Sequence, residues 1–317
     1  MAEQNRRVRT KKRGKLRKGR VFLTLIILVL LGLGGYFYFQ YKAGYDLAGG
    51  NKESNIEFKG DPSLKDKENI LLIGVDSRGE EQSRSDTMIL LSWDQKTNDI
   101  RMVSFMRDIY ADIPAYKSYK LNTAYYLGGV SLLQETLGNM FDVKINHYAI
   151  IDFKNFEKLV DVAAPNGVEV TVPHDMSKNI GVSLKKGTQR LNGKELLGFA
   201  RFRHDNEGDF GRVDRQQQAL EALKTEVLSA SNVSHYPKLI GALQGYVQTD
   251  LTRSQQMGLV FNAVKGGDVS IEKLTIPAKN TYQYASYPGV GSVLQIDEEK
   301  NRQIVTDFLE GKDTANQ

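Results

Sequence analysis

The sequence predicts an α/β fold: a central mixed sheet with helices on both faces, three layers in all, preceded by one transmembrane helix. Three observations carry this. Residues 21–41 (VFLTLIILVLLGLGGYFYFQY) form an apolar run without a charged side chain. Beyond residue 67, short runs rich in Ile, Leu and Val have the composition of buried strands. Segments with apolar residues at helical spacing alternate with those runs, and alternating strands and helices build a layered sheet.

The first of these elements fits a bilayer. At a rise of about 1.5 Å per residue, the run of 21–41 spans the roughly 30 Å hydrocarbon core. Tyr36, Phe37, Tyr38, Phe39 and Tyr41 cluster at one end, where amphipathic rings favour the headgroup level. Ten Lys or Arg and a single acidic residue, Glu3, fill residues 1–20 at the other end. The positive-inside rule then places the N-terminus in the cytoplasm and everything after the run outside. The run is longer than the apolar region of an ordinary signal peptide, and no clear small-x-small cleavage site precedes the aromatic cluster. We therefore expect a basic cytoplasmic tail at 1–20, an uncleaved anchor at 21–41, a polar linker at 42–66 and an extracytoplasmic domain at 67–312.

The net charge of +5 belongs to the tail. Of the chain's 43 basic and 38 acidic residues, 33 and 37 remain beyond residue 20. The domain is mildly acidic, which excludes a basic nucleic-acid-binding domain. The 317 residues contain no cysteine, so disulfides, thiolate metal sites and a Cys nucleophile are excluded together.

Within the domain, strands are predicted at 69–75 (NILLIGV), 87–93 (TMILLSW), 100–105 (IRMVSF), 148–151, 167–172 and 268–276. The polar turn 95–98 joins the second and third as a hairpin. Helices are predicted at 129–140, 153–162, 193–202, 212–229, 237–247, 254–264 and 297–309.

Four polar clusters sit at the ends of these elements. Asp76, Ser77 and Arg78 follow the first strand. Arg84, Ser85 and Asp86 precede the second, and Arg107 and Asp108 follow the third. The fourth is longer: Arg201, Arg203, His204 and Asp205, then Asp209, Arg212, Arg215, Gln216 and Gln217. Residues at strand ends of an open α/β sheet face the crevice where ligands bind. Guanidinium forks match phosphate oxygens two at a time. Carboxylate oxygens suit Mg2+ or Mn2+, held by one or two Asp plus substrate phosphates. Together these clusters describe a pyrophosphate clamp. Arg201 and Arg203 share a face only in an extended segment, so the helix before them is expected to end near Ala200.

In order and spacing, the segments NILLIGVDSR, RSDTMILL, SFMRDIY, KLNTAYYLGG, LNGKELLGFARFRH and GDFGRVDRQQQ resemble the LytR–CpsA–Psr family of cell-wall glycopolymer transferases. The resemblance covers roughly residues 68–230, and the tail and anchor agree with it. It implies a membrane enzyme of a Gram-positive-type envelope that takes a glycan from a polyprenyl-pyrophosphate carrier. The enzyme would transfer the glycan phosphate to peptidoglycan and release polyprenyl phosphate. The matching positions make Asp76 and Asp86 metal ligands. Arg107, Arg201, Arg203 and Arg212 become pyrophosphate-binding, with Gln216 assisting and Arg78 and Arg215 at further matching positions. Met106 stands where the family usually has Pro.

On this reading Arg107, Arg201 and Arg203 also act in catalysis. The general base is Asp209 or an Asp beside the metal, and the sequence leaves that open. Apolar faces at 129–140, 153–162 and 212–228 either line a groove for the prenyl chain or form core. His147, His174, His204 and His235 show no ligand spacing. Tyr282, Tyr284 and Tyr287 either stack on sugars or pack a hairpin. Two alternatives are a pyrophosphatase that releases the glycan phosphate to water and a non-catalytic membrane sensor or transcriptional attenuator. A glycoside hydrolase needs two carboxylates across a sugar site and has no use for six arginines.

Overall fold

The computed structural model describes residues 18–49, 56–62, 66–76, 83–265 and 270–312. Its elements in chain order begin with α1 (Lys18–Leu47), β1 (Lys67–Val75), β2 (Ser85–Asp94), β3 (Ile100–Phe105), β4 (Tyr110–Ala111), β5 (Tyr119–Lys120), α2 (Asn122–Phe141), β6 (His147–Asp152) and α3 (Phe153–Ala163). There follow β7 (Val168–Val172), β8 (Gly187–Leu191), α4 (Gly193–Arg201), α5 (Gly208–Val227), α6 (Tyr236–Tyr246), β9 (Gln248–Thr249) and α7 (Arg253–Lys265). The last are β10 (Ile271–Ile276), β11 (Tyr282–Tyr287), β12 (Gly291–Ile296) and α8 (Glu298–Glu310).

Six strands form one sheet in the order β10-β3-β2-β1-β6-β9. The sheet is mixed: β1 runs antiparallel to β2 and parallel to β6, and β10 runs parallel to β3. The predicted hairpin is present, with β2 antiparallel to β3 from Ile89↔Ser104 to Trp93↔Ile100. Alternate side chains leave opposite faces of a strand. Leu71 and Ile73 of β1 pack with Leu133, Leu137 and Phe141 of α2 and with Val305 and Phe308 of α8. Leu72, Gly74 and Ile89 line a space on the other face, walled by α3, α4, α5 and α6. Helices thus cover both faces, as the sequence predicts.

The hairpin β7–β8 lies outside the main sheet and builds a second apolar cluster with α3, α4 and α5 through Val168, Val170, Leu196 and Phe199. The hairpin β11–β12 carries the three tyrosines. Tyr287 stacks on Tyr110 at 4.5 Å and Tyr282 on Phe210 at 5.1 Å, so both pack, whereas Tyr284 stays exposed.

The structure corrects two boundaries. The N-terminal helix does not stop at residue 41 but continues to Leu47, so the first residues of the expected linker are helical. Its last turns lie on α6 at close range: a Cβ at Gly241 would stand 2.1 Å from the Tyr41 carbonyl oxygen, and one at Gly44 2.0 Å from that of Lys238. Tyr246 donates its hydroxyl to the Leu47 carbonyl at 2.9 Å. Later in the same stretch, Ile56 and Phe58 pack against the core and Asp61 N–H donates to the Ile145 carbonyl, so 56–62 belong to the domain. The second correction concerns α2, which starts at Asn122; the non-helical backbone of Gly128 and Gly129 bends it where the sequence pattern suggests a start. Within α1, Phe22–Leu47 contains an 18-residue window of mean hydropathy 2.2, and this is the one described helix long and apolar enough to cross a membrane.

Candidate functional site

The C-terminal ends of β1 and β3 and the start of β2 lie side by side in the sheet. β1 and β2 pair up to Val75↔Ser85, with a register shift after Gly74. Asp76 leaves β1 there, and Asp86 stands one residue into β2. Arg107 follows β3, whose Ser104 pairs with Ile89 of β2. The topology alone therefore brings Asp76, Asp86 and Arg107 to one end of the sheet.

The fourth cluster arrives from α4 and α5. A full capping box starts α4: the Asn192 side chain accepts from Glu195 N–H, and Glu195 answers to Asn192 N–H. The helix ends at Arg201, one residue past the expected Ala200, and Phe202 is extended. Arg203 therefore points with Arg201 into the same cavity, about 240 Å³, although only one of them is helical.

That cavity is lined by Arg107, Lys178, Arg201, Arg203 and Arg212 against one carboxylate, Asp86. Arg107 bonds Asp86, and its Nε lies 3.6 Å from Asp108. Arg201 reaches Asp76 at 3.4 Å. Arg203 and Arg212 approach the same Asp209 oxygen at 3.5 and 3.3 Å. The metal candidates and the arginine candidates thus meet in interlocking pairs. Gln216 lines the cavity too, whereas Gln217 is buried and donates to Ser104 Oγ at 2.9 Å, tying α5 to β3.

Crowding of like charge shows in the titration of these groups. Burial lowers the Arg212 pKa to about 10, and the Arg107 and Arg203 cations push in the same direction against the pull of Asp209. Burial also acts to lower the Arg107 pKa, but the Asp86 and Asp108 carboxylates outweigh it and hold it above its ordinary value. Arg107 Nε and Arg212 Nε are buried without a hydrogen-bond partner. Unpaired buried donors in a cationic cavity match an anion with several acceptor oxygens.

Asp209 does not have the character of a base. Burial pushes its pKa up, but Arg212, Arg107 and Arg203 together hold it below the ordinary carboxylate value. A carboxylate so paired holds two guanidiniums in place and takes up protons poorly at neutral pH. Arg215 does not join the cavity. Its side chain is 3% exposed, pairs with Asp205 at 2.7 Å and donates to the Phe202 carbonyl at 2.8 Å. It fixes the loop from which Arg203 projects. Arg78 lies outside the described residues.

Sequence reasoning missed Lys178 and Asn179, which a loop between β7 and β8 brings to the cavity wall. Asn179 contacts His204 there at 2.8 Å, and no strand-end or helical pattern marks the pair. Asp76 and Asp86 both line a wider cavity that adjoins the first across Asp86 and Arg107. No group of three or more potential metal ligands occurs among the described residues. Two hard carboxylates beside a cationic cavity nevertheless have the oxygen chemistry that suits Mg2+ or Mn2+, which complete their shells with water or phosphate oxygens.

On its other side the cationic cavity opens onto the apolar space between the sheet and α3–α6, about 280 Å³. Phe153, Arg201 and Gln216 line both. Residues of the predicted 153–162 and 212–228 segments wall this space. Residues of 129–140 do not; Val130, Leu133 and Leu137 of α2 pack in the core.

Fold and site together define a class: an α/β protein on an apolar N-terminal helix, whose cationic cavity opens onto an apolar one. The chain belongs to the LytR–CpsA–Psr family, whose model matches residues 37–306. Regulatory protein MsrR of Staphylococcus aureus (strain COL) is 45% identical over 279 residues, 87% of this chain and 85% of MsrR. The polyisoprenyl-teichoic acid–peptidoglycan teichoic acid transferase TagU of Bacillus subtilis (strain 168) is 33% identical over 237 residues, 73% of this chain and 76% of TagU. Among solved structures, TagT bound to LIIa-WTA has a TM-score of 0.62 at 26% identity, covering 82% of this chain and 95% of that one.

Proposed function

We propose that this chain transfers a phospho-glycan, of teichoic-acid or capsule type, from a polyprenyl-pyrophosphate carrier to peptidoglycan, releasing polyprenyl phosphate. The observation that carries the reading is the junction at Arg201 and Phe153, where a cavity lined by five cations opens onto an apolar one. A diphosphate with a hydrocarbon tail has that distribution of charge. The relatives support the glycan: TagU is named as a teichoic acid transferase, and TagT is solved with LIIa-WTA.

In this reading Arg107, Arg201, Arg203 and Arg212 grip the diphosphate and stabilise the charge that grows on its oxygens. A peptidoglycan hydroxyl attacks the phosphorus that carries the glycan. The bond from that phosphorus to the bridging oxygen breaks, and polyprenyl phosphate leaves with the electron pair and, in balance, takes up the hydroxyl proton. Mg2+ or Mn2+ held by Asp76 and Asp86 would supply further neutralisation of the diphosphate. Positioning and charge neutralisation are the main demands of phosphoryl transfer. The apolar helix α1 anchors the domain beside its lipid substrate, with the basic tail in the cytoplasm and the domain outside.

The test follows labelled lipid-linked glycan into peptidoglycan. Wild type should label the polymer, and Arg203→Ala should lose the activity by about a hundredfold or more while keeping its melting temperature. Release of glycan phosphate at the same rate without peptidoglycan would instead make the chain a pyrophosphatase. MsrR, 45% identical, carries the name of a regulatory protein, which favours regulation as a second reading. A regulator without transfer activity would show no labelling at all in the same assay.

A further inference from the structure

The largest of these cavities, about 810 Å³, lies across Asp86 and Arg107 from the cationic one, on the side away from the apolar space. In the function proposed above, a diphosphate would need only its Asp86–Arg107 edge. The remaining wall comes largely from the KLNTAYYLGG segment, to which the proposed reaction gives no role: Lys120, Asn122, Thr123 and Tyr126, joined by Tyr116 and Arg84.

Two features of this wall point to a ligand. Tyr116 and Tyr126 present exposed rings, 49% and 38% accessible, in a cleft whose other lining is mostly polar, with Leu127 and Val290 as apolar members. The Arg84 guanidinium stands 5.8 Å from the Tyr126 ring centre. A flat ring with polar neighbours is what a pyranose uses, its C–H face on the aromatic and its hydroxyls on the polar groups. The second feature is Asn122. It is 5% exposed and lines the cavity, and its Oδ1 is buried with no hydrogen-bond partner. Its backbone N–H donates to the Arg107 carbonyl at 3.2 Å, which fixes this side chain relative to the anion site. A buried acceptor left unpaired is costly, so a donor brought by a ligand is favoured there.

We propose that this cavity is a saccharide subsite, with a pyranose ring on Tyr126 and Tyr116 and a hydroxyl or acetamido N–H donated to Asn122 Oδ1. The placement of that ring next to the transferred phosphate rests on the function proposed above. Carrier glycan and acceptor strand share this chemistry, and the experiment separates them.

Calorimetry on the full chain in detergent would use three probes: farnesyl diphosphate, the same lipid diphosphate bearing N-acetylglucosamine, and free chitotetraose. Tyr116→Ala, Tyr126→Ala and Asn122→Leu should bind farnesyl diphosphate as wild type does, which also reports that they fold. They should lose about tenfold in affinity for a sugar-bearing probe. Loss with the lipid-linked sugar alone assigns the subsite to the carrier glycan, and loss with chitotetraose alone to the acceptor strand. Unchanged affinity of all three variants for both sugar probes overturns the subsite. Wild type that ignores farnesyl diphosphate but binds chitotetraose through Tyr126 sinks the diphosphate reading and leaves the subsite standing.

Discussion

The Arg201 guanidinium stands over the Phe153 ring, 4.6 Å from its centre, and with Gln216 the two side chains form the wall common to the cationic and the apolar cavity. A cation on an aromatic face marks the line where a charged head would give way to a hydrocarbon tail.

The two halves of that pair should separate by probe. Arg201→Ala is expected to weaken binding of both inorganic diphosphate and farnesyl diphosphate, by about tenfold to a hundredfold. Phe153→Ala should weaken farnesyl diphosphate and leave inorganic diphosphate nearly untouched. Equal losses for both probes in Phe153→Ala would show that the ring acts through Arg201 and not on the tail.

Arg215 should behave as a structural residue. Breaking its buried pair with Asp205 leaves an uncompensated charge, a loss of about 3–5 kcal/mol. Arg215→Ala is therefore expected to lower the unfolding midpoint strongly, whereas Arg203→Ala, whose side chain is 45% exposed, should leave it nearly unchanged. Denaturant titration of the two variants decides the point.

At the far edge of the sheet His147 contacts Asp250 at 2.7 Å, and Asp250 also accepts from Tyr148 N–H. The hydrogen bond to Asp250 raises the His147 pKa above 6.5, with burial opposing it. A raised folded pKa gives stability that is complete below about pH 6.5 and is lost as the pH climbs through the raised value. Asp250→Asn should therefore lower the melting temperature more at about pH 6 than at about pH 8.5. An equal loss at both values would mean that the pair carries no proton-linked stability.

The helix crossing of α1 and α6 leaves no room for a side chain at Gly241. Gly241→Leu should push the helices apart and cost about 1–3 kcal/mol of local stability. Hydrogen exchange should then accelerate in α6 and in 42–47, with the amides of β1 and β2 unaffected. Unchanged protection of α6 would contradict the close packing.

Much of this architecture was legible in the residues. The runs 69–75, 87–93 and 100–105 lie in β1, β2 and β3 because strands buried on both faces are nearly continuous in Ile, Leu and Val. The two-residue strands β4, β5 and β9 carry no such run and are set by tertiary pairing alone. The end of α1 was hidden because Lys42 and Asp46 read as linker, although they pair along one helix face at 2.8 Å.

Within the site, the arginines announced themselves by number and by position at element ends. What the pattern could not reveal was which of them turns inward. Arg212 and Arg215 are three residues apart on α5; the first lines the cavity, and the second is taken by Asp205. That difference rests on a loop contact far from any local periodicity. Lys178 was invisible for the same reason.

One lipid diphosphate should occupy both cavities at once. The most direct measurement is a crystal structure of the protein with farnesyl diphosphate. The diphosphate should lie among Arg107, Arg201, Arg203 and Arg212, with the chain running past Phe153 between the sheet and α5. Density for the diphosphate elsewhere, or for a chain that leaves the apolar space empty, would contradict it.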